Sequence, residues 1–226
     1  MNEALLFVEI IAVFSMMLIF KKMLGKDGLF AWLAIAPIIA NIQVIKCIDV
    51  FGISATLGNV LFSSVFLATD MLSEIYGKEE AKKGVKTAIV SVLLFIGIMQ
   101  LSLLFVPNDI DIIDAAMHDM FSLSFRVCAA SVSMFALANI IDVLIYDKLK
   151  KRFKNRKMWL RNNICTIICN CAENFGFCFI AFYNVYSNAD IITIAVNTCI
   201  IETIIAICDT PFLYLAKYTE RRIKHN

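Results

Sequence analysis

Three residues of one apolar run have types and spacing suited to binding a flat, hydrogen-bonding ring. Asn170, Glu173 and Phe177 follow at i, i+3 and i+7, so they share one stripe if the run is a helix. A carboxylate accepts two parallel N–H groups, an amide donates and accepts, and a phenyl ring offers its face to a planar ligand. This stripe suits a heterocycle with a urea-like or guanidine-like edge, and it suits a proton relay nearly as well.

The stretch LATDMLSEIYGKEEAKK, residues 67–83, places two carboxylates four residues apart at the end of another apolar run. Charged groups in the hydrocarbon region cost about 2.5 kcal/mol or more on insertion scales, so those that persist usually face a protein interior and carry function. Asp70 lies about one turn deeper than Glu74. We expect Asp70 to pair with Arg161, whereas Glu74 anchors the helix end beside cytoplasmic charge.

Seven apolar runs must position these side chains, and they predict an all-α integral membrane protein with a bundle of about six or seven transmembrane helices. The 226 residues are 60% hydrophobic and 18% charged, with a mean hydropathy of +0.78, whereas soluble domains average about 25% charged residues. Because one span takes about 20 residues, we expect a single transmembrane domain over residues 1–226. The predicted segments are about 4–20, 28–46, 58–76, 86–106, 122–146, 160–183 and 189–214.

Charge alternates between the segments that join these runs. The segments rich in lysine and arginine are 21–27, 77–86, 147–161 and the C-terminal tail. The acidic or neutral segments are 47–57, 107–121 and 184–188. Positively charged loops stay in the cytoplasm, so we expect the N-terminus outside and the C-terminus inside.

Other kinds of chemistry find little support. The cluster CTIICNC invites a metal interpretation, but the two histidines, His118 and His225, lie far from it, and we interpret the cysteines as buried packing residues. The basic run KLKKRFKNRK satisfies the orientation rule, so no nucleic acid partner is expected. No GxGD motif or G-x-S-x-G elbow occurs, and we expect neither an enzyme nor a cofactor. A structural protein would not need carboxylates inside several apolar runs.

Several motifs, in order along the chain, resemble those of the queuosine-precursor transporters. They are ANIQVIKCIDVFG, ATDMLSEIYGKEEAKK, ANIIDVLIYDKLK, WLRNNICTIICNCAENFGFCFIAFY and DTPFLYLAKY, and they cover about residues 38–218. In that family the pattern D-x-x-S-E-x-Y-G-x-x-x-A-K/R closes one helix, and the stretch from Asp70 to Lys82 matches it. The resemblance implies uptake of 7-deazaguanine compounds such as preQ0, preQ1 or queuine for tRNA modification.

Some positions depart from the family pattern. Asn170 and Glu173 stand where the family has Gln and Asp in the spacing S-Q-x-x-D, and Asn139 stands where Gln is expected. Glu202 stands where the family often has a basic residue, and LFSS replaces a Phe-Pro before the Asp70 motif. We hypothesise a repacked pocket for a different member of the ligand series.

The resemblance therefore implies a multi-pass inner-membrane transporter that moves a queuosine precursor inward across the lipid bilayer. One alternative is the ligand-capture subunit of an ATP-driven vitamin importer, although no ATPase module is expected. Another is uptake of a different small planar heterocycle. The sequence leaves open which precursor is carried, whether protons, sodium or ATP supply the energy, and whether the protein forms a homodimer.

Two sets of residues are predicted to carry this transport, and no metal ligands are among them. The predicted substrate-binding residues are Asn41, Lys46, Phe66, Asp70, Asn139, Asn170, Glu173 and Phe177. The predicted gate or coupling residues are Glu74, Arg126, Asp142, Arg161, Glu202 and Asp209. An ion-pair gate on the cytoplasmic side is expected from Asp70, Glu74, Asp142 and Arg161.

Overall fold

The computed structural model describes residues 1–122, 125–154 and 156–225. Side chains 125, 128 and 221–225 are not described, so the tail charges Arg221, Arg222 and Lys224 lie outside the described side chains. The described chain forms helices and one two-stranded sheet. In order, these are α1 (Asn2–Leu24), α2 (Lys26–Gln43), β1 (Cys47–Val50), β2 (Ile53–Thr56), α3 (Asn59–Ile75), α4 (Lys78–Ser102), α5 (Asp114–Phe121), α6 (Phe125–Arg152), α7 (Met158–Phe182) and α8 (Asn188–His225).

The seven long helices coincide with the seven apolar runs of the sequence. Within the described residues, five of them are long and apolar enough to cross a membrane: α1, α4, the Ala129–Arg152 part of α6, α7, and the Asn188–Glu220 part of α8. This confirms the expectation of a helical membrane protein. The other two, α2 and α3, are the shortest of the seven, with 18 and 17 residues.

Helix α3 is the central helix of the bundle. From Asn59 to Glu74, every side chain except that of Phe62 is buried. The helix packs against α1, α2, α4, α6, α7 and α8. A helix that is buried all round lies in the middle of its protein, so the polar side chains of α3 must find partners on other helices.

A glycine permits close packing on one side of α3. A Cβ atom on Gly84 of α4 would lie 2.6 Å from Leu72 Cδ1 and 2.7 Å from Leu33 Cδ1, which is closer than real Cβ contacts allow. Leu33 of α2 and Leu72 of α3 are both fully buried in the apolar core. The tight contact between α2, α3 and α4 fixes the position of the central helix.

Helices α6, α7 and α8 complete the surroundings of α3. Helix α7 packs between α6 and α8, and all three contact α3. Buried positions on α7 recur every three or four residues through Arg161, Cys165 and Cys169, and on α8 they include Glu202 and Asp209. The polar residues of the site therefore lie on the inward stripes of these helices.

The end of α3 is set by backbone hydrogen bonds. The N–H groups of Tyr76 and Gly77 both donate to Leu72 O at 2.9 Å. Gly77 has a φ of 98°, which residues with a side chain rarely adopt. Glu74 is thereby held in the last turn of the helix, next to the start of α4.

A hairpin forms in segment 47–57, which the sequence interpretation treated as a loop. Strands β1 and β2 are antiparallel, and Phe51 and Gly52 between them have φ angles of 53° and 73°. Positive φ at both central residues is the requirement of a type I′ turn. Asn2 Nδ2 donates to Asp49 O at 2.8 Å, so the hairpin is tied to the beginning of α1.

Helix α5 forms in segment 107–121, also treated as a loop from the sequence. Asp111 Oδ1 accepts hydrogen bonds from the backbone N–H groups of Ile113 at 2.7 Å and Asp114 at 2.9 Å. These two N–H groups stabilise the carboxylate and lower the pKa of Asp111 from its usual value. The Asp111 carboxylate therefore stabilises the backbone at the start of the short helix.

Candidate functional site

Glu74 is surrounded by cations from three other helices. Arg161 Nη2 of α7 lies 2.7 Å from Glu74 Oε2, and Lys150 Nζ of α6 lies 3.5 Å from the same atom. Lys217 of α8 forms an ion pair with Oε1. Tyr146 OH donates to Oε2 at 3.3 Å, and the Arg161 guanidinium stacks over the Tyr146 ring, 5.4 Å from its centroid. We call these five residues the inner cluster.

The inner cluster also closes the end of α3. Lys150 Nζ donates to Ser73 O at 2.8 Å and to Glu74 O at 3.0 Å. These carbonyls belong to the last turn, where no intrahelical N–H group is available to them. The cluster therefore joins α3, α6, α7 and α8 at one end of the bundle, with three cations around a single buried carboxylate.

The expected pairing of Arg161 with Asp70 is wrong, because the guanidinium bonds to Glu74 instead. Helix α7 begins opposite the last turn of α3, so Arg161 is level with Glu74, whereas Asp70 lies about 6 Å farther along the helix. Glu74 does lie at the helix end beside cationic residues, as expected, but it is not at an exposed surface. Its side chain is only 1% exposed, and it is the centre of a buried charge cluster.

Asp70 and Asp142 form a second group, which we call the carboxyl pair. Both residues are 0% exposed, and their carboxyl groups are neighbours in the protein interior. The thiols of Cys165 and Cys169 lie beside Asp142. None of the four carboxyl oxygens has a hydrogen-bond partner in the described part of the chain. A hydrogen bond between two carboxyl groups requires a proton on one of them.

Asp209 of α8 lies near the carboxyl pair but has its own partner. Its Oδ1 accepts a hydrogen bond from Asn162 Nδ2 of α7 at 2.7 Å. Both residues are 0% exposed. This bond links α7 to α8 between the inner cluster and the more distant polar residues, and it satisfies one oxygen of a carboxyl group that would otherwise be buried without a donor.

A third group lies farther along α7 and α8, and we call it the central site. Asn174 Nδ2 donates to Glu202 Oε2 at 2.6 Å. Glu173 is near enough for its charge to interact with that of Glu202. Asn170 is one turn away on α7, and its buried Oδ1 has no hydrogen-bond partner. Glu173 lies about 18 Å from Arg161 along the helix, so the central site is well separated from the inner cluster.

Two further predicted residues adjoin these groups. Phe66 of α3 is 2% exposed and packs with Ala138 of α6 and Cys169 of α7. Asn139 of α6 is 0% exposed; its Nδ2 donates to Phe135 O at 2.9 Å, and its Oδ1 has no partner. The structure thus brings Phe66 and Asn139 to the region between the carboxyl pair and the central site.

The remaining predicted residues lie apart from these groups. Asn41 donates to Pro37 O of its own helix at 2.7 Å, and Lys46 is exposed just before β1. Phe177 packs near the start of α8 and has an edge contact with Phe182 at 5.7 Å. Arg126 Nη2 donates to Ala181 O at 2.5 Å, near the end of α7.

Sequence reasoning missed five residues that the structure places in these groups: Tyr146, Lys150, Asn162, Asn174 and Lys217. For two of them, the sequence contains a spacing that indicates a position in the site. Tyr146 and Lys150 follow Asp142 at intervals of four residues, which places all three on one face of α6. The lysines were interpreted only as markers of orientation, because charge at a helix end has that ordinary explanation.

A metal-centred site has no counterpart in the described residues, where no group of three or more His, Cys, Asp or Glu side chains could hold an ion. The polar groups instead offer carboxylates, amides and apolar walls. Such a set recognises donors on a small organic molecule by hydrogen bonds and excludes water with its apolar surroundings.

Comparisons with known proteins give one consistent result. The family described as "Putative vitamin uptake transporter" matches residues 56–216. The chain is 36% identical over 205 residues to the probable queuosine precursor transporter of Bacillus subtilis, covering 90% of each chain. It is 28% identical to the queuosine precursor transporter of Escherichia coli, over 64% of this chain and 62% of the relative. No solved structure is significantly similar.

A probable queuosine precursor transporter of Haemophilus influenzae is also 28% identical, over 59% of this chain and 54% of the relative. These relatives are named as transporters and not as enzymes, which confirms the class expected from the sequence. Together with five helices able to span a membrane, the match identifies a multi-pass inner-membrane protein. The chain therefore belongs to the queuosine precursor transporter family.

Proposed function

We propose that this protein is a secondary transporter that imports a queuosine precursor, a 7-deazaguanine base, for tRNA modification. The observation that carries the proposal is the central site, where Asn170 and Glu173 offer acceptors among apolar helices. A 7-deazaguanine has N–H donors along one edge of a flat ring. Two of them match the two oxygens of a carboxylate, and the names of the relatives support this choice of ligand.

In this proposal, the ligand binds between α3, α6, α7 and α8. Glu173 and Asn170 recognise the edge of the ring, while Phe66 supports its face from α3. Asn139, whose buried Oδ1 has no partner, accepts a donor on the opposite side of the ring. Asn41, Lys46 and Phe177 remain predictions for the outer part of the path.

The inner cluster is the proposed cytoplasmic gate. Its contacts join four helices through the single carboxylate of Glu74, so separating α3 from α7 and α8 must break buried ion pairs. Breaking such pairs is costly unless the charges find water or new partners. When the cytoplasmic side opens, water enters and solvates the separated charges. When the ion pairs form again, the four helices return to the closed arrangement.

The carboxyl pair is the proposed coupling element. In this proposal, the neighbouring carboxyl groups of Asp70 on α3 and Asp142 on α6 share one proton. Asp209 lies nearby on α8 and is a third buried acidic residue beside the pair. Loss of the proton would drive the two carboxylates apart, which couples proton release to a movement of α3 relative to α6.

The proposed topology has seven spans, with the N-terminus outside and the C-terminus inside. The inner cluster lies at the end of the bundle that carries the basic segments, in agreement with the positive-inside rule. Lys21 at the end of α1 forms a 3.1 Å ion pair with Glu220 of α8, and Tyr76 OH donates to the same carboxylate at 3.0 Å. These contacts tie α1, α3 and α8 together in one transmembrane domain.

Uptake into liposomes that contain only this purified protein tests the proposal. We expect inward movement of at least one of preQ0, preQ1 and queuine, and competition by the other members of the series. Guanosine, which carries a sugar on the same type of ring, serves as the control. Transport without any ATPase module would contradict the ATP-driven alternative. If none of the three bases enters, the proposed function is wrong.

A further inference from the structure

The central site has more hydrogen-bond acceptors than donors. Glu173 and Glu202 supply carboxylates, and Asn170 supplies an amide oxygen that is buried and unpartnered. The side-chain donors within this group are the amide NH2 groups of Asn170 and Asn174, set against six carboxylate and amide oxygens, and Asn174 Nδ2 is already bonded to Glu202 Oε2 at 2.6 Å. Buried polar atoms normally have partners, so a surplus of acceptors points to a ligand that brings several N–H donors.

The site also holds two acidic side chains without a compensating cation. In the part of the chain that the structure describes, Glu173 and Glu202 form no ion pair. Lys150, Arg161 and Lys217 are all bound to Glu74, about 18 Å from Glu173 along α7. The central carboxylates therefore lack the counter-charge that buried acidic groups usually have.

Arg126 does not supply that charge either. Its guanidinium donates to Ala181 O at 2.5 Å, and Ala181 lies about 12 Å beyond Glu173 along α7. Glu173 is half-buried and Glu202 is 7% exposed, so Glu173 is the more accessible of the two carboxyl groups. An entering cation would meet two acidic groups and displace no positive residue.

We propose that the central site selects a positively charged 7-deazaguanine over a neutral one. Glu173 and Asn170 receive the N–H donors of the ring edge, and Glu202, oriented by Asn174, receives an ammonium group attached to the ring. This inference rests on the proposed transport function and makes Glu202 a substrate-binding residue rather than a gate or coupling residue. The preference of the site for a charged substrate would thus depend on one residue of α8, Glu202.

The effect of substrate charge can be tested with two bases that share the same ring and differ in the charge of one substituent. preQ1 carries an aminomethyl group that is protonated at neutral pH, whereas preQ0 carries an uncharged nitrile. Binding of each base to purified protein in lipid nanodiscs is measured by calorimetry, with choline replacing sodium so that no small metal ion competes. A hydrogen-bonded charge in a dry site is expected to favour preQ1 by about tenfold or more.

Glu202→Gln removes the charge and keeps the shape, so the ratio of preQ1 to preQ0 affinity should fall toward one. Glu79→Gln is the matched control, because Glu79 is 76% exposed at the start of α4, and its ratio should equal that of the wild type. Equal wild-type affinities, or an unchanged ratio in Glu202→Gln, would overturn the charge selection alone. Binding of neither base would contradict the proposed function as well. The wild-type ratio decides the matter even if Glu202→Gln does not fold.

Discussion

Arg161 and Glu74 form a buried ion pair, with 2.7 Å between Nη2 and Oε2 and side chains that are 0% and 1% exposed. The pair connects the first turn of α7 to the last turn of α3. Lys150 and Lys217 contact the same carboxylate from α6 and α8. One acidic residue therefore holds together the four helices that surround the proposed substrate path.

Replacing this carboxylate should destabilise the protein strongly. Glu74→Gln leaves three cations near an uncharged amide, and breaking a buried pair in this way costs about 3–5 kcal/mol. The melting temperature in detergent should fall well below that of the wild type. Glu79→Gln, which alters an exposed pair with Lys82, should change stability by about 0.5 kcal/mol at most. Similar melting temperatures for the two variants would contradict the central role of Glu74.

Asp70 and Glu173 should differ in what their loss impairs. Asp70→Asn removes a charge from the carboxyl pair, away from the edge of the bound ring, so transport should fall more than binding. Glu173→Gln replaces one of the two oxygens that accept ring N–H groups with an NH2 donor and should weaken binding by about tenfold or more. Calorimetry and liposome uptake are compared for both variants. A loss of binding in Asp70→Asn as large as in Glu173→Gln would refute this division.

Asp142→Asn should uncouple transport from protons. At zero membrane potential, an exterior that is one pH unit more acidic than the interior supports about tenfold accumulation of substrate inside the liposome, if one proton enters with each substrate molecule. Wild-type liposomes should approach that ratio, whereas the variant, whose amide cannot release a proton, should reach a ratio of about one. Asp147→Asn is the control, since Asp147 pairs with Lys78 and Lys151 near the helix end. Wild-type accumulation that is independent of the pH gradient would exclude protons as the coupling ion.

Cys47 provides a test of orientation. It is exposed at the start of β1, in the segment assigned to the outside. A membrane-impermeant maleimide should label intact cells through Cys47, and Cys47→Ser should remove that labelling. In the Cys47→Ser background, Glu79→Cys on the opposite side should react only after the membrane is permeabilised. The reverse pattern would show that the orientation is inverted.

The sequence was sufficient to predict the helices but not their relative alignment. Apolar run length locates each span, and the three- and four-residue spacing of Asn170, Glu173 and the buried cysteines identifies the inward stripe of α7. Periodicity says nothing about how far one helix is shifted along another. A shift of one turn, about 5.4 Å, decides whether Arg161 meets Asp70 or Glu74, and the sequence interpretation chose the wrong one.

The roles of Lys150 and Tyr146 could not be assigned from sequence for a related reason. A lysine at a helix end satisfies the positive-inside rule and has no further role to suggest. Only the position of the last turn of α3 shows that Lys150 Nζ meets the carbonyls of Ser73 and Glu74. The hairpin after α2 was missed because its turn, Phe51 and Gly52, lies in a segment too short to stand out beside long apolar helices.

The central claim is that this protein supplies its host with a precursor of queuosine. The direct measurement is the queuosine content of tRNA in a bacterium that makes no precursor and lacks its own transporter, expressing this protein and fed preQ0, preQ1 or queuine separately. We expect queuosine with the wild type, most efficiently from the charged precursors, and much less with Glu173→Gln at equal protein levels. Absence of queuosine with all three compounds would contradict it.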